Sequence, residues 1–403
     1  KEAWLKAYYK ELKVLVSSGT FSIEPMLAGE TAVPTMETNR VKLLSDGTLD
    51  KLKTRIVVRG DLQNKQFLED KWSPTASFRS LKMFLAHAAR LQVRVRQMDF
   101  IGAFLQAKVR SRVFIKMPAI YGDLFPDLKA YCGVPVRLVK SMYGMSLSGK
   151  YWYQELQEWL LESGFNQSKV IACLFWKNLE DGSMIYLLDY VDDCLYFGTN
   201  DVTLKQFENQ ISGRFDLTLM GQAHWYLSTR ITQTANFDIT MDQSRYCLSI
   251  VRKYLDTIGC ANVVREHTTP FPLEFVPTAD DNSVDETAAE ILSSEYNLDF
   301  ASCVGALIYL ALSRIDIIHA VNKLAKFTRR PGRNHFMALI HVLRYLRDNA
   351  YLGISFYSDV ERSPIHSMLG NSEMPELSKE LFLTFSDSSW NDDVDTGRST
   401  GCY

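Results

Sequence analysis

At 403 residues the chain is longer than one ordinary core accommodates, so two or three domains are expected. Hydrophobic residues make up 46% and aromatic residues 12%, enough to fill sizeable cores, which excludes a chain disordered throughout. Forty-five basic against 47 acidic side chains give a net charge of −2, so any nucleic-acid binding has to come from a local basic surface. The seven cysteines (Cys132, Cys173, Cys194, Cys247, Cys260, Cys303, Cys402) are odd in number and form no CxxC pair, which favours buried thiols in a reducing compartment.

The pattern in residues 1–18 predicts a helix with Trp4, Ala7, Tyr8, Leu12 and Leu15 on one side, closed by Gly19. Lys51–Arg59 alternates basic and apolar residues like a half-exposed strand, Ser80–Leu91 reads as a helix, and Val93–Phe100 as the strand after it. Tyr151–Ser163 is helical and ends at Gly164. A hairpin around Asp192 and Asp193 and a helix near Val202–Ile211 follow. This order predicts an α+β fold with helices on one face of an antiparallel sheet. Gln243–Ile258 reads as helix, 266–295 as an exposed linker containing an acidic stretch, and Phe300–Ser313, Asp316–Phe327 and Arg333–Asp348 as helices. Short strands are expected at Gly353–Tyr357 and Leu381–Ser386. No apolar run approaches a membrane span. The chain opens on Lys1 inside a helical pattern and closes in a strand-like run, so a fragment of a longer protein is expected at both ends.

Tyr190-Val191-Asp192-Asp193 sets adjacent carboxylates inside an apolar stretch, where an unpaired charge costs several kcal/mol. A hairpin tip facing a cleft would relieve that cost and hold a divalent cation. The best further ligand is Asp99, again at the end of an apolar strand; a helix N-cap at Asp99 and a turn at Asp192-Asp193 are the plain structural readings. Lys53 and Arg55 on their own read as a solvated strand face, and Phe104 as core.

The blocks that surround these acids resemble, in order, those of copia-type long-terminal-repeat retrotransposon reverse transcriptases. Lys53–Gly60 resembles the fingers motif KARLVARG, Trp72-Ser73-Pro74 the FSP block, and Gln97–Leu105 the QxDVxxAFL block. Lys140–Met145 resembles KSLYGL, and Tyr190–Asp193 is the YVDD hairpin. Val304–Leu310 and Arg314–Phe327 resemble the connecting region, while Phe385–Trp390 and Arg398–Gly401 resemble the opening of an RNase H domain. Ser146–Lys150, Leu219–Ser228 and Ser313–Ile317 depart from the family patterns KQxPR, DLGxxxYFLG and TRPDI.

The resemblance implies a right-hand polymerase of fingers, palm and thumb, a helical connection, and the truncated start of an RNase H-like α/β domain. Its implied division is 1–50 (N-terminal helix and approach to the fingers), 51–235 (fingers and palm), 236–265 (thumb-like), 266–380 (linker and connection) and 381–403 (RNase H start). The implied function is RNA- and DNA-templated DNA synthesis. Asp99, the Phe100 carbonyl, Asp192 and Asp193 would bind two Mg2+ ions, with Mn2+ a possible substitute. Lys53 and Arg55 would hold the β- and γ-phosphates, Phe104 would exclude a 2′-hydroxyl, and Tyr143-Gly144 would lie beneath the template–primer pair. Asp387 would be the first RNase H carboxylate, its partners lying beyond this sequence, so no RNase H activity is expected of this chain alone. Asp392, Asp393 and Asp395 read as a solvated loop. Arg329, Arg330, Arg333, His335, Arg344 and Arg347 are read equally as template–primer backbone contacts or as a solvated helix end.

Expected partners are a primed RNA or DNA template, deoxynucleoside triphosphates and the rest of a Pol polyprotein (integrase and the remaining RNase H), with no membrane. The expected location is cytoplasmic, within virus-like particles. A decayed or host-adopted relic that only binds nucleic acid is the competing reading. A nucleotide cyclase would leave the downstream blocks unexplained.

Overall fold

The computed structural model describes residues 2–43, 48–63, 71–258, 267–272, 277–359, 387–393 and 398–402. The chain divides into two compact units, Lys1–Phe84 with Val95–Gln222, and Leu85–Arg94 with Ala223–Tyr403. No helix among the described residues is long and apolar enough to cross a membrane.

In the first unit, α1 (Glu2–Ser17) ends where Gly19 takes φ +69°, as its pattern predicts. The elements after it are β1 (Phe21–Ser22), β2 (Ala32–Leu43), β3 (Leu49–Val58), α2 (Phe78–Arg90, which ends in the second unit), β4 (Arg96–Phe100), α3 (Ala103–Gln106), β5 (Phe114–Lys116) and α4 (Ile120–Leu124). Then come β6 (Pro135–Leu138), α5 (Ser148–Glu162), β7 (Asn166–Gln167), β8 (Leu174–Asn178), β9 (Met184–Tyr190), β10 (Asp193–Gly198), α6 (Asp201–Arg214) and β11 (Leu217–Gln222). One sheet has the order β1-β6-β5-β2-β3, with β2 parallel to β5 and the other neighbours antiparallel.

The second sheet, β11-β4-β10-β9-β8-β7, is antiparallel throughout. Period-2 alternation sends Met98, Phe100, Cys194 and Tyr196 into a core shared with Trp152 and Leu156 of α5 and Phe207 and Ile211 of α6. The expectation of helices on one face only is corrected here. Phe197 points to the opposite face, and α2 covers it by stacking Phe84 at 4.7 Å.

In the second unit, β12 (Trp225–Tyr226), β13 (Thr229–Gln233), β14 (Ile239–Asp242) and, from much later in the chain, β15 (Ile354–Phe356) form an antiparallel sheet. Between β14 and β15 lie α7 (Ser244–Ile250), α8 (Glu286–Glu295), α9 (Phe300–Leu310), α10 (Ile318–Ala325) and α11 (Arg333–Asp348). The helix expected over Gln243–Ile258 is broken: α7 passes into a π turn at Val251–Leu255, which keeps Val251, Tyr254 and Leu255 buried, and then a 3-10 turn. The linker expectation is also corrected, because Phe271 packs on the helical core, Pro272 is buried and the Thr269 carbonyl lies 2.9 Å from His341 Nε2. Within the acidic stretch α8 begins, capped by Asp285, whose carboxylate accepts the Ala288 N–H at 2.7 Å.

The β16 (Asp387–Asp393) and β17 (Arg398–Cys402) backbones pair antiparallel. Asp392 and Asp393 therefore end a strand rather than occupy a loop; Asp395 and the strand expected at Leu381–Ser386 lie outside the described residues. Cys132, Cys173, Cys194, Cys247 and Cys303 are buried free thiols, as expected.

Leu227 (φ +49°) and Ser228 (φ +60°) form the two-residue loop between β12 and β13. Two positive φ values define a type I′ turn, which favours Asn-Gly and penalises Leu. The double change Leu227→Asn, Ser228→Gly is expected to stabilise the protein by about 1–2 kcal/mol. Chemical denaturation reads this directly, and an unchanged midpoint would contradict it.

Candidate functional site

β4 and β10 lie side by side in a register that sets Asp99 opposite Asp193 and Gln97 opposite Leu195. Asp99, Asp193 and Gln97 therefore share a sheet face, away from the core that holds Met98 and Cys194. Asp193 pairs with Tyr190 across the hairpin, leaving Val191 and Asp192 as its two-residue turn. Val191 sits at φ +62°, where a type II′ turn takes glycine and a β-branched residue is strained. Two clamps hold it there. The Phe100 N–H donates to the Asp192 carbonyl at 2.7 Å, and the buried Trp152 indole N–H donates to the Val191 carbonyl. Trp152 is itself wedged edge-on between Phe100 (4.8 Å) and Phe215 (5.6 Å).

Asp99 and Asp192 are exposed and Asp193 is half-buried. Burial and then the Asp192 charge push the Asp99 carboxyl up, while Lys53 and Lys42 pull it back. Asp193 is pushed up to about 6 by burial, against the pull of the Gln97 Nε2–H donated to its Oδ1 at 2.8 Å, with Asp99 and Asp192 adding repulsion. This is a cluster of like charges. Among the described residues no group of three or more His, Cys, Asp and Glu side chains is arranged to hold a metal. The cluster nonetheless fits magnesium, a hard cation that takes one or two carboxylates and fills its remaining positions with water and substrate phosphates.

Lys53 and Arg55 reach the same neighbourhood from β3. The Arg55 guanidinium stacks 4.2 Å from the Tyr143 ring, and Tyr143 meets Phe104 edge-on at 5.4 Å. The Arg55 Nε is buried and has no hydrogen-bond partner among the described residues. Lys53, half-buried beside Arg55, Lys42 and Lys51, has its ammonium pushed down by burial and then by those like charges. Phe104 is half-buried and packs against the core.

Gly144 packs directly against β3. At φ +81°, a Cβ there would lie 2.2 Å from Val57 Cγ1 and 2.3 Å from the Val58 carbonyl, while the Val58 N–H donates to the Tyr143 carbonyl at 2.8 Å. The close backbone approach is to β3.

The basic residues proposed for backbone contacts are mostly engaged within the second unit. Arg333 forks onto Glu295 at 2.8 and 2.9 Å, Arg329 meets Glu286 at 2.7 Å, and Arg347 meets Asp348 at 2.8 Å. Arg330 reaches the Val284 carbonyl at 3.4 Å, and the Arg344 Nε is buried without a hydrogen-bond partner among the described residues. His335 is wholly buried and caps α11, its Nδ1 accepting the Gly332 N–H at 2.9 Å, so it cannot face a nucleic acid. Asp387 opens β16, opposite Cys402.

The sequence reading assigned no role to Gln97, Trp152 or Asp189. A tryptophan on a buried helix face needs a partner for its N–H, and that was the available signal for Trp152. Asp189, on β9 behind the turn, is 1% exposed and accepts the Cys194 thiol at 3.2 Å. Burial pushes it up to about 7, the Cys194 bond opposes this, and Asp192 adds to it. Since the folded value exceeds the ordinary value of 3.8, its stabilising contribution is full below about pH 3.8 and is lost as pH rises through about 7. Asp189→Asn should therefore flatten the fall in melting temperature between pH 4.5 and 8, and thermal melts of both proteins at the two pH values check this.

A family model for reverse transcriptase (RNA-dependent DNA polymerase) matches residues 30–267, more than half of the chain. The Retrovirus-related Pol polyprotein from transposon TNT 1-94 of Nicotiana tabacum is 25% identical over 86% of this chain and 25% of its own length. That from transposon RE2 of Arabidopsis thaliana is 28% identical over 100% of this chain and 25% of its own. The chain thus spans about a quarter of the length of these curated relatives. A solved apo telomerase from Candida tropicalis overlaps 88% of this chain and 68% of its own at 10% identity, with a TM-score of 0.37, too low to carry a fold assignment.

Proposed function

This chain belongs to the reverse transcriptase (RNA-dependent DNA polymerase) family, in its copia-type long-terminal-repeat retrotransposon branch, and on that premise we propose that it extends a primer 3′-hydroxyl with deoxynucleotides on RNA or DNA templates. The observation that carries this reading is the register of Asp99 against Asp193 with Asp192 in the clamped turn between β9 and β10.

Asp99, Asp192, Asp193 and the Phe100 carbonyl would hold Mg2+, two ions in all, with Mn2+ a substitute. Such ions, when bound, lower the pKa of the primer hydroxyl and neutralise the leaving pyrophosphate. The protein's own part is placement. The Phe100 and Trp152 bonds fix where the Asp192 carboxylate stands relative to Asp99. Lys53 and Arg55 receive the β- and γ-phosphates, and the unpartnered Arg55 Nε supports an anion there. Phe104, braced by Tyr143, meets the sugar and excludes a 2′-hydroxyl. Residues 51–235 then act as fingers and palm, 236–265 as a thumb-like segment and 266–380 as connection, while 381–403, carrying Asp387, opens an RNase H-like domain completed elsewhere in a Pol polyprotein. Cytoplasmic virus-like particles suit such a polyprotein.

The test is primer extension with Mg2+ on RNA and DNA templates, with Asp192→Asn as control. Extension by the parent and none by the variant is expected. Hybrid binding without extension by the parent would replace this reading with a decayed relic, and extension that survives Asp192→Asn would remove the role given to that residue.

A further inference from the structure

Among the described residues, one of the three carboxylates in the cluster accepts a hydrogen bond and two do not. Gln97 Nε2 donates to Asp193 Oδ1 at 2.8 Å, while the side chains of Asp99 and Asp192 are held by no donor. The tether is built into the sheet. Gln97 and Asp99 are two residues apart on β4 and share a face, and Asp193 stands directly opposite Asp99. Gln97 and Asp193 are therefore diagonal neighbours, within reach of a long side chain. On the other flank of β4, β11 bulges between Leu219 and Gly221, and the residue it sets opposite Gln97 is Gly221, which adds no side chain beside the amide. Gln97 is 5% exposed and Asp193 is half-buried. Each supplies what burial would otherwise take away, an acceptor for the amide and a donor for the carboxylate.

The chemistry of this donor matters. A lysine or arginine reaching Asp193 from the same place would neutralise it and repel a cation. An apolar residue would leave Oδ1 desolvated and the carboxylate free to turn. An amide gives direction without charge. With Oδ1 engaged, Oδ2 is the oxygen that remains for a cation, across the ladder from Asp99. We infer that Gln97 is a positioning residue for the metal site, holding the Asp193 carboxylate in the orientation that takes a cation while leaving its charge intact. The inference rests on the proposed metal role of Asp99, Asp192 and Asp193, and Gln97 acts through Asp193 alone.

Gln97→Met, similar in length and without a donor, is the first variant. Mn2+ binding to the free protein, followed by loss of the free-ion electron paramagnetic resonance signal, needs no turnover. The variant should bind Mn2+ about tenfold more weakly than the parent, the scale on which hydrogen-bond partners of metal ligands act. Gln97→Asn keeps the amide but is one methylene short of the diagonal, and should weaken binding to a similar degree; if Gln97→Met does not fold, this variant carries the comparison. Adding the Gln97 change to Asp193→Asn should cause no further loss, because the amide has no other carboxylate to act on. Equal Mn2+ affinity in parent and variants would overturn the inference. So would a full further loss on top of Asp193→Asn, which would make Gln97 a general support of the sheet. Where the parent extends primers, Gln97→Met should lower kcat about tenfold with the KM for dTTP unchanged, and raised Mg2+ should restore part of the rate. If the parent binds Mn2+ but extends nothing, the polymerase reading fails while the titration still decides the role of Gln97. Absence of Mn2+ binding by the parent would overturn the metal role and the inference together.

Discussion

Replacing Asp192 by Asn is expected to lower primer extension by about a thousandfold or more, the scale on which removing one preorganised charge partner acts in a reaction that develops charge on phosphate oxygens. Asp99→Asn should do the same, because Asp99 and Asp192 are the two exposed carboxylates of the cluster. The folded protein should not suffer. Asp99 is pushed up by burial and by Asp192, so neutralising Asp192 removes a repulsion and should raise the melting temperature of the metal-free protein. Asp193 reports the same strain. With its folded value pushed up to about 6, its contribution to stability is full below about pH 3.8 and lost as pH rises through about 6. The parent should accordingly gain more in melting temperature from added Mg2+ at pH 8 than Asp192→Asn does. Steady-state extension and thermal melts with and without Mg2+ check both halves, and equal activity in parent and variant would refute the first.

Arg314→Met is expected to destabilise the second unit by about 2–3 kcal/mol, the cost of leaving a half-buried carboxylate and a carbonyl without their shared partner. Arg314 is 1% exposed, just past the C-terminal end of α9. Its Nε and Nη2 fork onto Asp316 at 2.9 and 2.7 Å, and its Nη1 donates to the Asn349 carbonyl at 2.9 Å, beyond the end of α11. The Tyr345 hydroxyl donates to the same Asp316 carboxylate at 2.8 Å. Burial pushes Asp316 up, yet Arg314 and Tyr345 outweigh it and hold the carboxyl below its ordinary value. Removing the guanidinium orphans both the carboxylate and the Asn349 carbonyl. Lysine should not rescue the loss, because a point ammonium cannot make the planar fork. Urea denaturation followed on the second unit measures the effect, and a change under about 1 kcal/mol would show that the network is incidental.

The same residues show how far the one-dimensional pattern reached. Ser313–Ile317 departs from the family pattern, yet Arg314 and Asp316 remain in it, and the structure joins them. Asp99, Asp192 and Asp193 were legible as carboxylates ending apolar strands, since burial cost makes such acids conspicuous. Helices α1, α2, α5, α6 and α9 to α11 were legible because their apolar spacing and glycine or capping signals are local. His335 misled because a histidine beside arginines looks like part of a basic surface, whereas α11 buries it as a cap. The stretch around Phe271 misled because Pro and Thr mimic a linker, and only packing shows that Phe271 and Pro272 are covered.

The sequence alone determined which acids, cations and aromatic rings the site can use, and the α+β alternation of elements, because these follow from residue chemistry and from periods of 2 and 3.6. Only the tertiary structure decided the register that faces Asp99 with Asp193 and the two bonds that hold Val191 in a strained turn. These are pairings between segments up to about ninety residues apart in the chain, and no local pattern encodes which distant partner a strand edge or an indole N–H will meet.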